Sequence, residues 1–243
     1  MNAGEQERAS SNVLVKPQPD RLYGRQHGHC LRPRQKKLLE ETLPRIRLSL
    51  DQIGHVVSLF DQKPQQLWFE VGLGGGEHVL GQMQAHPNVG YIASEVFRDG
   101  ICSLLSRLVP VGGEATGVIP AMLRLWDEDA RQVLRVLPEA VLDKAFLMFP
   151  DPWPKARHAK RRFIHPQNIT LMARVLKSGG IWHVASDDPV YQNWVQEVMA
   201  HQPYFEVSKP QTVRPSEGWV PTRYEAKALA AGRQPLYWTF IRR

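Results

Sequence analysis

The chain lacks the features that would place it in a membrane, in a disulfide scaffold or around a structural metal. No stretch approaches the ~18 apolar residues of a membrane span. The opening Met1-Asn2-Ala3-Gly4-Glu5-Gln6-Glu7-Arg8 has none of the apolar character of a signal peptide, so a soluble, cytoplasmic protein is expected. Only two cysteines, Cys30 and Cys102, occur, too few and too far apart for a disulfide framework or a zinc site. Both read as ordinary thiols, and no metal site is expected. Internal repeats are absent, and nothing points to an obligate protein partner. What is present is a 243-residue chain with 42% hydrophobic content, enough for one full core and too short for two large domains.

Positive charge is modest in total and concentrated in place. Residues 21–47 hold Arg21, Arg25, Arg32, Arg34, Lys36, Lys37, Arg45 and Arg47 against Glu40 and Glu41, a net +6, and residues 155–162 hold five cations and no acid. With +7 overall, the rest of the chain is left at −4. Two short cationic pieces on an acidic remainder are the footprint of a polyanion binder, although a basic N-terminal piece also suits a solvated tail. Gly24, Gly28 and Pro33 interrupt the first piece, which reads as an arm able to lie along a phosphate backbone.

Residues 1–20 are polar and aperiodic and are predicted to be disordered. Residues 21–60 form a basic N-terminal segment with a short helix at 34–43, carrying Leu38, Leu39 and Leu43 inward and ending before Pro44. Residues 61–243 read as one domain of alternating strands and helices. Strands are expected at 67–71, 89–95, 122–126, 144–149 and 181–186. Helices are expected at 77–85, around Ile101 to Leu108, at 130–137, from Pro166 to just before Gly179-Gly180, and at 190–201. Two further strands, 205–207 and 236–241, show no clear helix between them and are expected to pair as an antiparallel edge hairpin. The order predicts an α/β fold, a Rossmann-like doubly wound and mostly parallel sheet.

The loop Glu70-Val71-Gly72-Leu73-Gly74-Gly75-Gly76 follows a strand and opens a helix, so Gly72 and Gly74 can let backbone approach a ligand. It is not the dinucleotide fingerprint, whose third glycine would fall at Glu77, where a carboxylate opposes a pyrophosphate. Glu95 ends the second strand, where an acid accepts hydrogen bonds from ribose hydroxyls. Asp129 follows the third strand and could reach an adenine amino group. Acids at the ends of successive strands fit S-adenosylmethionine better than a dinucleotide, with Glu70 facing the ligand's ammonium group or holding the loop.

The fourth strand runs into Phe149-Pro150-Asp151-Pro152-Trp153-Pro154-Lys155-Ala156-Arg157-His158-Ala159-Lys160-Arg161-Arg162. Three prolines fix their own φ angles and restrict the residues before them, so Asp151 is held with little freedom. A rigid carboxylate beside a row of cations suggests chemistry on RNA.

These elements, with Thr222-Arg223-Tyr224-Glu225 near the C-terminus, make the chain resemble the bacterial tRNA (guanine-N7-)-methyltransferases from Arg21 onward. The resemblance implies a class I methyltransferase that uses S-adenosylmethionine to methylate a guanine in the variable loop of tRNA. It assigns donor contacts to Glu70, Glu95, Asp129 and Asp151, and substrate contacts to Lys155, Asp187, Thr222, Arg223, Tyr224 and Glu225. Asp151 is the expected catalytic residue. Phosphate contacts are expected from Arg25, Arg157, Lys160, Arg161 and Arg162. The family commonly shows Thr-Lys-Phe-Glu at 222–225 and a Trp where this chain has Asp188. Two other readings stay open at this point: a methyltransferase acting on another acceptor, and a non-catalytic RNA-binding protein on the same fold.

Overall fold

A computed structural model describes residues 16–19, 21–24, 26, 28–215 and 219–243. Most of the predicted tail and Arg25 lie outside the described residues.

The order of elements is α1 (Pro33–Lys37), β1 (Gln66–Val71), α2 (Glu77–Ala85), β2 (Val89–Ser94), α3 (Arg98–Leu108), β3 (Leu123–Trp126), α4 (Ala130–Val136), β4 (Leu142–Met148), α5 (Pro166–Val175), β5 (Leu176–Ser186), α6 (Pro189–Ala200), β6 (Phe205–Val207), α7 (Arg223–Ala230) and β7 (Leu236–Arg242). The seven strands form one sheet in the order β3-β2-β1-β4-β5-β7-β6. The pairs from β3 through β5 are parallel, and β7 is antiparallel to both β5 and β6.

Both faces of the sheet are covered, which explains why the central strands read as nearly continuous apolar runs. Leu67, Phe69 and Val71 face α4, α5, α6 and a 3-10 segment, Leu50–Leu59, that supplies Ile53 and Val56. The alternate residue Trp68, with Tyr91 and Phe146, faces α2, α3 and the N-terminal helix, where Val79, Leu104 and Leu38 close the second core. Phe146 is fully buried, and cutting it to alanine is expected to cost about 3–5 kcal/mol. The N-terminal segment is stitched to the sheet as well, because Leu48 donates to the Leu125 carbonyl and Leu125 to the Ile46 carbonyl, both at 2.8 Å.

Three expectations need correction. The N-terminal helix does not stop before Pro44: it continues as a π-helical turn, Leu38–Thr42, and a 3-10 turn, Leu43–Arg45. Pro44 sits near the start of that last turn, where its missing N–H is least needed. Helix α5 ends at Val175 and β5 begins at Leu176, with Gly179 at φ 77° allowing the irregular start of the strand. A helix, α7, does lie between the last two strands. Its exposed Leu229 obscures the periodic pattern, and its inward anchors are the side chains of Glu225 and Ala228. Strands β6 and β7 pair antiparallel as expected, yet β7 lies inside next to β5 and the short β6 takes the edge.

Candidate functional site

The strand order reverses between β1 and β4, and a cavity of about 380 Å³ opens there at the carboxyl ends of the strands. Gly72, Gly74, Glu95, Asp129, Asp151 and Tyr224 all line it. Gly72 has φ 75° and open space where a Cβ would stand, while a Cβ on Gly74 would come within 2.9 Å of Tyr224 Cε2. The loop thus offers bare backbone to a ligand and is backed by an aromatic ring.

Each acid has a different environment. Glu95 accepts hydrogen bonds from the amides of Gly74 (2.8 Å), Val96 (2.8 Å) and Phe97 (2.9 Å). A carboxylate has about four acceptor sites, so room is left for a ligand hydroxyl. Burial raises its pKa, the three amides oppose that, and the negative charge of Asp151 adds to the rise. Asp129 caps α4 through the Arg131 amide, and its carboxylate also receives the Arg131 guanidinium, with Nη2 to Oδ2 at 2.5 Å. Its acceptor capacity is already committed inside the protein, which weakens the expected reach to an adenine amino group.

Asp151 stands at the cavity with no hydrogen-bond or ion-pair partner among the described residues, and desolvation raises its pKa. The turn that carries it is strained on both sides: Phe149 has φ 51° and Trp153 has φ 45°. Bulky side chains seldom adopt such angles, and each costs about 1–3 kcal/mol that the surroundings must offset. The offset is visible, since the Phe149 amide donates to the Ala185 carbonyl at 2.8 Å. Arg162 donates from Nε to the Pro152 carbonyl and from Nη2 to the Trp153 carbonyl, both at 3.0 Å.

Several expected site residues point elsewhere. Arg162 is buried and lies over the Trp194 ring, so it serves the turn and not an RNA phosphate. Glu70 does not line the cavity, because its carboxylate turns beneath the sheet to Tyr91 and His78. Thr222 is the cap of α7, accepting from the Glu225 amide at 3.1 Å. Glu225 is buried and accepts from the Tyr237 hydroxyl and the Arg214 guanidinium, at 2.6 and 2.7 Å. Within 222–225 it is therefore Tyr224 that reaches the cavity, with Arg223 donating to its hydroxyl at 3.2 Å. Asp187 is outside the lining and accepts from Arg233 at 2.6 Å. Asp188, at the position of the family's tryptophan, caps α6 by accepting from the amides of Val190 and Tyr191. Lys155 and Arg157 are exposed and Lys160 half-buried, on a 3-10 turn, Ala156–Arg161, and its flank, outside the cavity. In the first basic piece, Arg34 pairs with Glu114 and Arg47 with Asp127 and Glu128.

Tyr23 and Arg131 are two of the cavity residues that escaped sequence reasoning. Tyr23 lines the cavity, and the Arg161 guanidinium lies 4.8 Å from the centroids of both the Tyr23 and Trp153 rings. Nothing local to Tyr23 signals this, since its partner lies far along the chain. Arg131 is the other, and its only sequence signal is its place two positions after Asp129.

A glycine loop and strand-terminal acids at the switch point of this sheet define a class I methyltransferase, with S-adenosylmethionine as methyl donor. A family model described as a putative methyltransferase matches residues 64–237. The chain belongs to the tRNA (guanine-N(7)-)-methyltransferase family: a protein of that name from Granulibacter bethesdensis is 59% identical over 96% of this chain and 99% of its own length. Another from Rhodospirillum rubrum is 46% identical over 94% of this chain and 90% of its own. In fold, the chain is similar to the solved 16S rRNA methyltransferase KamB, with TM-score 0.54 at 14% identity, over 81% of this chain and 95% of that one. An antibiotic-related methyltransferase of known structure gives TM-score 0.52 at 10% identity over 81% and 95%.

Proposed function

We propose that this enzyme works in the cytoplasm, transferring a methyl group from S-adenosylmethionine to N7 of a guanine in the variable loop of tRNA. The observation that carries the reading is Asp151, a carboxylate without a partner among the described residues, on a strained turn that lines the glycine-loop cavity and runs into a cationic segment. When bound, S-adenosylmethionine supplies an electrophilic methyl group on a cationic sulfur.

Glu95, with one acceptor position unused by its three amides, takes a ribose hydroxyl, and Gly72 and Gly74 bring backbone against the ligand. Guanine N7 carries an in-plane lone pair and no proton at neutral pH, so no side chain needs to act as general base. Alignment is worth about 7–11 kcal/mol, against roughly 10²- to 10⁴-fold for acid-base assistance, so positioning dominates. Asp151 orients the base and stabilises the positive charge that grows on it. An unpaired loop nucleotide is the least costly to extrude into such a cavity. Lys155 and Arg157, exposed, and Lys160, half-buried, follow the Asp151 turn in the chain and hold the RNA backbone.

Incubating the full chain with total tRNA and labelled S-adenosylmethionine, then mapping the modified nucleotide, tests the reading. Label at N7 of a variable-loop guanine is expected. Label in protein or small molecules, with none in tRNA, would overturn it.

A further inference from the structure

The glycine loop leaves β1 after Val71 and enters α2 at Glu77, and the residues just outside its two ends are bonded to each other. Glu70 Oε2 accepts from His78 Nδ1 at 2.7 Å, closing the loop across eight positions, and from the Tyr91 hydroxyl on β2 at 2.6 Å. The three side chains are 1%, 2% and 0% exposed. Gln82 Nε2 stands 3.2 Å from His78 Nε2. An amide nitrogen only donates, so His78 Nε2 accepts and its proton sits on Nδ1, toward Glu70. Burial raises the Tyr91 pKa, which keeps its hydroxyl a donor.

The loop above needs such a restraint. Gly72, Gly74 and Gly76 have φ of 75°, 59° and 83°, conformations glycine adopts freely and an unrestrained loop would also leave freely. On the upper side the amides of Gly72 and Leu73 donate to the Ser94 carbonyl at 2.9 and 3.0 Å, the Gly74 amide donates to Glu95 at 2.8 Å and the Ser103 hydroxyl to the Gly75 carbonyl at 3.2 Å, so the clasp adds a restraint from the other side.

We propose that Glu70, His78 and Tyr91 are positioning residues that clasp the glycine loop from beneath and set its shape for the methyl donor without touching it. This rests on the methyl-donor reading of the cavity. Residues on three elements share one carboxylate, and none of the three lines the cavity.

The test is calorimetric titration of S-adenosylhomocysteine into the full chain, with tRNA gel-shift affinity and thermal unfolding measured in parallel. Tyr91→Phe and His78→Leu are each expected to weaken binding about tenfold while tRNA affinity stays unchanged. His78→Asn, whose amide nitrogen takes the place of Nδ1, should bind like wild type. Glu70→Gln combined with Tyr91→Phe should cost less than the two separate losses together, because both open the same clasp. Wild-type affinity in Tyr91→Phe and His78→Leu, with the loss confined to Glu70→Gln, would overturn the proposal and make Glu70 a direct contact. Parallel loss of tRNA affinity and melting temperature would overturn it as general destabilisation. If wild type itself fails to bind S-adenosylhomocysteine, the donor reading falls first and the clasp with it.

Discussion

Arg162 donates to the carbonyl oxygen of Trp153 at 3.0 Å, so a cation nine positions downstream holds the backbone of the turn that carries Asp151. Its neighbour Arg161 lies against the Tyr23 and Trp153 rings at the cavity.

Arg162→Ala is therefore expected to lose about 1.5–3 kcal/mol of stability per charge-assisted hydrogen bond removed, and to lose methyl transfer with it. Lys155→Ala, Arg157→Ala and Lys160→Ala should leave the melting temperature alone. Each should instead reduce the salt slope of tRNA binding by about 0.7–0.9 where it meets one phosphate. Thermal unfolding and binding isotherms at several salt concentrations separate the two behaviours.

For Asp151, desolvation penalises the charged form, so the carboxyl takes up its proton at a higher pH than an ordinary aspartate. The acid limb of the kcat profile is expected above the ordinary value of about 3.9. Asp151→Asn should remove the limb, keep some activity through hydrogen bonding and lose on the order of a hundredfold in kcat, whereas Asp151→Ala should be inactive. Complete loss in the asparagine variant would show that the negative charge, and not hydrogen-bond positioning, carries the role.

The sign of the linked stability effect follows. A carboxyl whose folded pKa is raised binds more protons folded than unfolded, so its contribution falls as pH rises from the ordinary to the raised value. At neutral pH Asp151→Asn is expected to melt no lower than wild type, despite its lost activity. A melting temperature clearly below wild type would show that the carboxylate has a stabilising partner.

Gly74→Ala places a methyl group 2.9 Å from Tyr224 Cε2 at φ 59°, whereas Gly72→Ala meets nothing within 4 Å at φ 75°. Both carry a left-handed backbone cost of about 1–2 kcal/mol, so the excess loss of S-adenosylhomocysteine affinity in Gly74→Ala measures the Tyr224 contact. Equal losses in the two variants would show that Tyr224 yields freely.

Thr222→Ala removes the cap of α7 and is expected to cost about 1 kcal/mol, with Thr222→Ser restoring it. Activity should fall along with stability. Lost activity at unchanged melting temperature would mean that the Thr222 hydroxyl meets substrate.

Much of the architecture was legible because it depends on neighbours in the chain. Apolar runs bounded by glycine and proline marked five parallel strands, and Pro166 marked a helix start. Helix α7 was not legible, because its inward anchors are a buried Glu225 and a small Ala228 while its one large aliphatic residue, Leu229, faces solvent. The cavity acids Glu95 and Asp151 were readable from their places at strand ends, and Tyr23 was not, since its partner Arg161 lies on a distant segment.

The amino-acid sequence alone determined the alternation of strands and helices from β1 to α6, the glycine loop, the rigid turn around Asp151 and the clustering of cations, because each follows from local backbone chemistry and charge. Only the tertiary structure decided which polar side chains face the cavity. Glu70 is claimed by Tyr91, Glu225 by Tyr237 and Arg162 by the carbonyls of its own turn. A buried charge must find a partner, and where that partner stands is fixed by packing between elements far apart in the chain.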